Sequence, residues 1–582
     1  MTPSTTRDTA LTIRALLTGA TLAGVFSLCN IYSGLKIGWG FNMSIPSALV
    51  GFAFWNSLAA TGRVRRMGLH ENMINQTGAS AGANISSAGL VSAVPALTYL
   101  TGTTLDWAPL SIFILTVSWV GVIVGIGVRR SMIIEQELPF PSGVAVAETM
   151  REVYARGEEA MAKVKMLASG AAVASVGTVL KEFGFISKVT LPGALSIGAG
   201  RMATLKNLSL SLDPSFLLTS LGLIVGPRIG ASMLIGALVG FGSLAPMAMT
   251  EGWVEPGEPD GMWFGNINKW LLWPGVTMMV VASLTSFAFA LPSLIRGAFG
   301  SKDRDGEDPD DVPRRVYVML LAVILVATTV LQYILFSIDL WVGAFAVMLT
   351  FLLAVVAGRV SGETGITPVG PMGKVTQLIF GAVSPGDVTA NLMAANVTGG
   401  AASQVGDMLH DLKAGHILGS KPKSQMIAQA TGLLGGASLG SAAYLAILHD
   451  PKTQLFTEDF PAPAAAQWRA VAELLTKGLG ELPPGATSFA LSAAIIAAAL
   501  AVAEKVAPAR VRAWVPSAPS IGLAFVIPGY YGIAVFIGSM LQVAIRRIAP
   551  QWHTRFTIVL ASGLIAGESL TGICVATWKL LP

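Results

Sequence analysis

Apolar stretches long enough to cross a membrane fill most of this sequence of 582 residues. A helix needs about 20 residues to span the hydrocarbon core of a bilayer. Charged side chains make up 12% of the chain, about half the share usual in soluble proteins, and the mean hydropathy is +0.65. The net charge of +5 implies no nucleic-acid partner, because Lys and Arg gather in short loops. We therefore predict an all-α polytopic membrane protein whose partner is the lipid bilayer.

The apolar runs and their interruptions predict about 14–16 transmembrane helices, counting broken or re-entrant segments. Continuous spans are expected at 11–31, 42–60, 107–128, 166–185, 213–227, 230–249, 272–295, 316–336, 339–358, 424–447, 485–503 and 553–578. Residues 132–154 carry two prolines between short apolar runs, which predicts a broken element. Three arginines at 63–66 follow the second span, so we place the N-terminus on the cytoplasmic side of the cell (inner) membrane.

The interruptions of the first half recur in the same order in the second half. SGLKIGWG is matched by RVSGETGITPVGPMGK, the polar helix 71–90 by 391–411, LPFPSG by GSKPKSQ, and 213–236 by 518–540. We predict two pseudo-symmetric transmembrane halves, 1–299 and 316–582, joined by a soluble linker at 300–315. Duplicated transporter folds place the solute between their halves. The pattern leaves both a parallel and an inverted arrangement open.

The most informative polar segment is the helix predicted over residues 391–411. Its polar positions recur at helical spacing and lie on one side: Asn396, Ser403, Gln404, Asp407, His410 and Asp411. A charged side chain in lipid costs about 2.5–3.5 kcal/mol on insertion scales, so such a stripe usually faces an interior cavity. For residues 410–423 a wet loop after the helix end is the alternative interpretation.

A second polar stripe lies in the helix predicted over 71–90, where Asn72, Gln76, Ser80 and Asn84 recur every fourth residue. We expect the solute to bind between the two striped helices, near mid-membrane, through neutral hydrogen bonds that suit a zwitterion. The predicted substrate-binding residues are Asn72, Gln76, Asn84, Asn391, Asn396 and Gln404.

Proton coupling in such a chain requires a carboxylate that can load and release a proton. Glu148 lies deeper in its apolar run than Glu135 or Glu137, and a buried carboxyl group can carry a proton. We predict Glu148 as the coupling residue, with Glu71, Asp407 and Glu568 as the next candidates.

The stretch HDLKAGH at 410–416 lies at the end of the polar stripe, and Lys413 within it and Lys421 and Lys423 after it favour the cytoplasmic side. We expect Asp411 to hold His410 or Lys413 in a charged hydrogen bond worth about 1.5–3 kcal/mol. Such a pair, made in one conformation and broken in the other, biases an inward gate. The alternative is a static ion pair that fixes a loop.

Five segments resemble the oligopeptide transporter (OPT) family, on its yellow stripe-like side, in a bacterial-type member. They are HENMINQT at 70–77, MIIEQELPFPSGVAVAE at 132–148, GDMLHDLKAGHILGSKPKSQM at 406–426, IPGYYGIAVFIGS at 527–539 and GLIAGESL at 563–570. The resemblance implies a secondary-active, proton-coupled symporter that imports small peptides or metal–chelator (siderophore-like) complexes. The NPG and KIPPR stretches of the peptide branch are absent, which disfavours a large oligopeptide.

The resemblance also implies functional positions in three of these segments. They are Glu71, Asn72 and Gln76; Pro139, Pro141 and Ser142; and Asp407, His410, Asp411, Lys413 and His416. Together with the gate hypothesis, this gives His410, Asp411, Lys413, His416, Pro139, Pro141 and Ser142 as predicted gating residues.

An intramembrane enzyme such as a protease is the alternative from another class. No GxGD pair, HExxH helix or rhomboid-like Gly-x-Ser pattern supports it, so we predict that the chain is not an enzyme. The spacing of His410 and His416 is not a standard zinc pattern and no cysteine joins them. We expect no cofactor and no resident metal, and leave a homodimer open.

Overall fold

The computed structural model describes residues 10–298, 312–478, 480 and 482–578. The helices of its first part are α1 (Ile13–Ile37), α2 (Ser44–Ala59), α3 (Leu69–Ala83), α4 (Ala93–Thr101), α5 (Trp107–Arg129), α6 (Pro141–Ala155), α7 (Gly157–Glu182), α8 (Phe216–Val225), α9 (Pro227–Val239), α10 (Ala245–Thr250) and α11 (Phe264–Ala298). A 3₁₀ turn at Asn84–Ala88 continues α3, and π-helical turns at Arg130–Glu135 and Gly240–Leu244 follow α5 and α9.

The second part repeats this helical character. Its helices are α12 (Arg314–Phe336), α13 (Leu340–Thr364), α14 (Val369–Val383), α15 (Val388–Leu418), α16 (Pro422–Ile447), α17 (Pro451–Gln454), α18 (Pro463–Lys477), α19 (Ala486–Val506), α20 (Ala509–Arg512), α21 (Ala518–Val526), α22 (Gly529–Ile548) and α23 (Pro550–Trp578). Strand β1 (Val189–Thr190) pairs with β4 (Ser211–Leu212), and β2 (Ala194–Ser196) with β3 (Met202–Thr204), both antiparallel.

The prediction of an all-α polytopic membrane protein is confirmed. Twelve helical stretches of the described residues are long and apolar enough to cross a membrane. Helix α15, with 31 residues and a polar stripe, is not among these twelve, and neither are the shorter helices α2, α8, α14 and α21. Most of the predicted linker, 300–311, lies outside the described residues, and α12 already begins at Arg314.

Both glycine breaks predicted from the sequence interrupt the helices in the structure. Helix α1 ends at Ile37 and α13 at Thr364, and each is followed by a glycine with a left-handed backbone. The φ angles of Gly38 and Gly365 are 72° and 78°, a conformation that glycine adopts without the steric cost of a Cβ. Chain segments 38–43 and 365–368 therefore turn sharply and lead into α2 and α14.

The helix before each break is parallel to the second helix after it. Helix α1 runs parallel to α3, since Asn30 Nδ2 donates to the Ala83 carbonyl while Gly19 packs against Asn75. Helix α13 likewise runs parallel to α15. Its early residue Thr350 bonds the early residue Thr398 at 2.8 Å, and its late residue Ser361 bonds the late residue His410 at 3.0 Å.

The predicted proline interruption begins with the π-helical turn and ends at Pro141, the first residue of α6. Proline suits this position because its missing N–H would lack an intrahelical acceptor anyway. Between the two helices Glu137 and Phe140 have φ angles of 49° and 42°. Left-handed backbone at residues with a Cβ is strained and persists only where the surroundings hold it. Phe140 is fully buried, and its N–H donates to the Gly362 carbonyl at 2.9 Å.

Glycine allows several helices to touch backbone to backbone. A Cβ added to Gly432 or Gly436 of α16 would overlap the carbonyl of Gly78 or Gly82 of α3. We call this contact the α3–α16 glycine seam. Small residues permit such close approach, which gives dispersion contacts where lipid offers no hydrophobic driving force between helices.

Candidate functional site: a polar cavity beside two antiparallel helices

Helices α3 and α15 meet along their polar stripes and run antiparallel. Three hydrogen bonds join them, with residue numbers rising on α3 and its 3₁₀ extension as they fall on α15: Gln76 Nε2 to Asp411 Oδ1 at 2.7 Å, Ser80 Oγ to Asp407 Oδ1 at 2.7 Å, and Asn84 Nδ2 to Gln404 Oε1 at 3.3 Å. Because α1 is parallel to α3 and α13 to α15, the two three-helix groups are inverted relative to each other. For these two groups the structure shows the inverted arrangement, whereas the sequence left both a parallel and an inverted one open.

Helix α16 closes this network through Gln429, a fully buried residue that sequence reasoning missed. Its Oε1 accepts from Gln404 Nε2 at 3.1 Å, and its Nε2 donates to Asp407 Oδ2 at 3.2 Å and Asp411 Oδ2 at 3.0 Å. Gln425, one turn earlier, donates to the backbone carbonyl of Asp411 at 2.6 Å. The signal in the sequence was two glutamines four residues apart in a helix otherwise rich in small and apolar residues.

The hydrogen bonds described for Asp407 and Asp411 all come from neutral amides or hydroxyls. Asp411 is only 2% exposed, whereas Asp407 is partly exposed and faces a cavity. Two carboxylates this close repel strongly in surroundings of low dielectric constant.

The cavity has a volume of about 510 Å³ and lies where the glycine breaks meet the polar helices. Residues of both breaks, 38–43 and 365–370, contribute to its wall. Six of its polar lining residues lie on α3 with its 3₁₀ extension, α6 and α15: Ser80, Asn84, Ser142, Ser403, Asp407 and His410. Sites for small ligands typically measure about 300–1,000 Å³, so the cavity suits a small solute.

A larger cavity of about 730 Å³ lies among α1, α2, α7 and α23. Its lining is almost wholly apolar and includes two aromatic residues, Phe26 and Phe54. Met43 borders both cavities. The polar cavity is the better candidate site, because convergent polar groups are what orient a polar solute.

His410 lies in the wall of the polar cavity and is held from two sides. Its Nδ1 accepts from the Gly143 N–H at 3.3 Å, and its Nε2 lies 3.0 Å from Ser361 Oγ. This pattern assigns the proton to Nε2. The Phe140 ring meets the imidazole edge-on with centroids 5.5 Å apart. The histidine thus joins α15, α13 and the start of α6.

The predicted charged bond from Asp411 to His410 or Lys413 is wrong. Asp411 bonds Gln76 and Gln429 instead, because neighbouring helical residues point about 100° apart and residues two apart point to nearly opposite sides. The wet-loop interpretation is also wrong for most of the stretch, since α15 continues to Leu418. Lys413 is half-buried and His416 is exposed.

Of the six predicted substrate-binding residues, Asn84 lines the cavity. Gln76 and Gln404 lie behind the wall in the hydrogen-bond network. Asn72 donates to the Ala48 carbonyl at 3.0 Å, and Asn391 exchanges two hydrogen bonds with Gln377. The sixth, Asn396, is buried, and its side chain packs against Gly89.

The predicted burial of Glu148 is wrong. The inward face of α6 is formed by Gly143, Val146, Ala147 and Met150, at helical spacing, and Glu148 lies on the exposed face. Glu71 is paired with Arg14 and with Arg65.

Glu568 accepts from Ser215 Oγ and from the Leu217 N–H, each at 2.8 Å, at the N-terminus of α8. A carboxylate there satisfies backbone donors and the helix dipole. Of the four predicted coupling carboxylates, Asp407 is the one in the cavity wall.

Among the predicted gating residues of the proline segment, Ser142 lines the cavity, while Pro139 and Pro141 are exposed. Phe140, which lies between the prolines, was missed and is the residue that inserts into the protein. The signal in the sequence was a phenylalanine with a proline on each side, since the two prolines restrict the backbone around it.

Comparison with known proteins places the whole chain in one family. The sequence pattern of the family described as "OPT oligopeptide transporter protein" matches residues 10–579. The Saccharomyces cerevisiae protein named "Putative oligopeptide transporter YGL114W" is 25% identical and the alignment covers 97% of this chain and 95% of that protein. "Metal-nicotianamine transporter YSL3" of Arabidopsis thaliana is 22% identical, with coverage of 96% and 90%. "Probable metal-nicotianamine transporter YSL8" of Oryza sativa subsp. japonica is 24% identical, with coverage of 79% and 71%. The chain belongs to the OPT oligopeptide transporter family.

Proposed function

We propose that this chain is a secondary-active, proton-coupled symporter in the cell inner membrane, with its N-terminus in the cytoplasm. It imports small peptides or metal complexes of amino-acid-derived chelators. The family and the named relatives are transporters, and neither supports the alternative of an intramembrane protease. The observation that carries the proposal is the polar cavity of about 510 Å³ beside the antiparallel helices α3 and α15.

The solute binds in this cavity between the two glycine breaks. Asn84 and Ser403, which bond each other at 3.2 Å, offer both donors and acceptors to it. Ser80 and Ser142 add hydroxyl groups, and Asp407 adds a carboxylate that attracts an amino group or a metal complex of positive charge. A free α-amino group of a short peptide and the amine of a chelator satisfy the same site.

Protons couple to transport through Asp407 and Asp411. Asp407 reaches the cavity, Asp411 lies one turn deeper, and Gln429 touches both, so a proton on either carboxyl group changes the hydrogen bonds of the other. Glu148, Glu71 and Glu568 are weaker candidates, because the first is exposed and the other two are engaged away from the cavity.

Access to the cavity is controlled where α6 begins. His410, Phe140 and Ser142 lie together there, and the left-handed backbone at Phe140 is strained. The cavity is closed when the Phe140 side chain lies between α13 and α15. It opens when this side chain withdraws. Lys413 and His416, further along α15, face the cytoplasm in this proposal.

Uptake by the purified chain in proteoliposomes with an imposed pH gradient tests the proposal. Short peptides are screened against iron, nickel and copper chelates, with liposomes lacking the protein as the blank. Saturable uptake that stops when a protonophore collapses the gradient is the expected result. Uptake of peptides and chelates that is absent, or equal with and without the gradient, contradicts the proposal.

A further inference from the structure

A lysine is buried close to the cavity without an acceptor. Lys374, on α14, is 2% exposed, and its Nζ has no hydrogen-bond partner among the described residues. The contact described for this ammonium group is the ring of Trp468, whose centroid lies 4.5 Å from Nζ. A cation–π contact compensates only part of the cost of taking an ammonium group out of water. A buried amine with no acceptor of its own suits an anionic ligand, whose charge would keep the amine protonated.

Trp468 connects this lysine to the cavity. The tryptophan forms part of the cavity wall, and so does Gly370, one turn before Lys374 on α14. The backbone of Trp468 is fixed, because its carbonyl accepts from Gln377 Nε2 at 3.0 Å. Glycine on α14 makes room for the ring, since a Cβ added to Gly373 would lie 2.7 Å from the indole. The ammonium group is thus separated from the cavity by one aromatic side chain.

The acidic end of the same cavity lies some distance away along α15. Gly399 packs next to the Trp468 ring, and Asp407 follows eight residues later. Eight residues of α-helix rise about 12 Å. A lysine near one end and an aspartate near the other give the cavity two chemically distinct ends.

We propose that Lys374 and Trp468 form a carboxylate-binding subsite of the transport cavity. The indole turns aside about its side-chain bonds, and Nζ then pairs with a carboxylate of the solute in a charge-assisted hydrogen bond. The amino or metal-bearing end of the solute lies toward Asp407. The inference rests on the proposed function and defines its substrate class as solutes with a free carboxylate, which a peptide C-terminus and an aminocarboxylate chelator both supply.

Binding measurements on the purified full chain test the subsite. Trialanine is compared with trialanine amide, and nickel–DTPA with the carboxylate-free nickel–triethylenetetramine complex, so that the two arms separate the peptide source from the chelate source. DTPA has more donor groups than nickel can coordinate, so its complex keeps a free carboxylate. Lys374→Met is expected to weaken binding of the carboxylate probe at least tenfold and to change its carboxylate-free counterpart less than about twofold. Lys374→Arg should retain most of the affinity. Lys505→Met, at an exposed lysine of α19, is the matched control.

A second measurement asks whether the cavity reaches position 374. In a Cys574→Ser background, Lys374→Cys should react with a small anionic thiol reagent. Whichever carboxylate probe binds the wild type should slow this reaction. A cysteine that never reacts, even after Trp468→Ala, overturns the subsite. Equal affinity of the wild type for each probe and its carboxylate-free counterpart overturns it too, while leaving the transport proposal intact. A wild type that takes up neither peptides nor chelates overturns both.

Discussion

Asp407 and Asp411 accept hydrogen bonds from one and the same nitrogen, Gln429 Nε2, at 3.2 and 3.0 Å. The two carboxylates lie one turn apart on α15, and the first of them reaches the cavity. Sharing one donor couples their protonation, because a change at either carboxyl group alters the hydrogen bond that the other receives.

Asp411→Asn should abolish uptake driven by a pH gradient and preserve exchange of solute between compartments at equal pH. The amide keeps the shape of the side chain and can still accept from Gln76, but it carries no exchangeable carboxyl proton. Uptake and exchange in proteoliposomes measure the two activities. Glu148→Gln, at an exposed carboxylate on α6, is the control and should leave both activities unchanged. Full gradient-driven uptake by Asp411→Asn would remove this residue from coupling.

Gln429→Leu should lower the free energy of unfolding by about 1–3 kcal/mol, because Gln404 and both aspartates each lose a partner in a buried network. Thermal unfolding in detergent, followed by intrinsic fluorescence, measures the change. Gln551→Leu, at an exposed glutamine of α23, should change stability by less than about 0.5 kcal/mol. Equal stabilities of the two variants would show that the network contributes nothing to the fold.

Phe140→Ala should destabilise the protein by about 3–5 kcal/mol, the usual cost of removing a fully buried phenylalanine side chain. It should also expose the start of α6, because the ring no longer packs against His410. Faster thiol labelling of Ser142→Cys in the Phe140→Ala background, measured with Cys574→Ser, reports this exposure. Phe183→Ala, at a phenylalanine that is 65% exposed, serves as the comparison. Unchanged labelling would argue against a gate at this position.

Gly432→Ala should prevent accumulation of folded protein, because its Cβ would overlap the Gly78 carbonyl oxygen and backbone cannot yield as a side chain does. Gly265→Ala on α11 is the matched glycine control, since nothing lies within 4 Å of its added Cβ. Size-exclusion chromatography of membrane extracts shows the folded fraction. A normal folded fraction for Gly432→Ala would mean that α3 and α16 can separate at small cost.

Helical spacing in the sequence predicted which side chains share a face, but not which groups they would bond. The stripe on α15 correctly joined Asp407 with His410 near a cavity. It failed for Asp411, because its partners belong to α3 and α16 and are distant in sequence. Depth within an apolar run did not predict the exposure of Glu148, because the spacing of small and apolar residues on α6 decides which face is buried.

Other parts of the site left weak or ambiguous signals in the sequence. A single lysine just after a helix break is usually an interfacial residue, so the position of Lys374 gave no reason to expect burial. The recurrence of breaks predicted a repeat, but the order of the breaks does not show whether the second copy runs parallel or inverted to the first. The hydrogen bonds between α3 and α15 show that the repeated groups are inverted.

The α3–α16 glycine seam determines which parts of the bundle can move apart. Backbone in direct contact at Gly78 and Gly432 opposes both sliding and rolling, so we expect these two helices to move as a single rigid body. Gln76 and Ser80 travel on this body together with Gln429. The aspartates belong to α15, which touches the body through side-chain hydrogen bonds that can exchange partners. If the carrier alternates its access and carries its proton on Asp407 or Asp411, as proposed, that proton binds at the boundary between the two moving parts, where one charge decides whether the boundary holds.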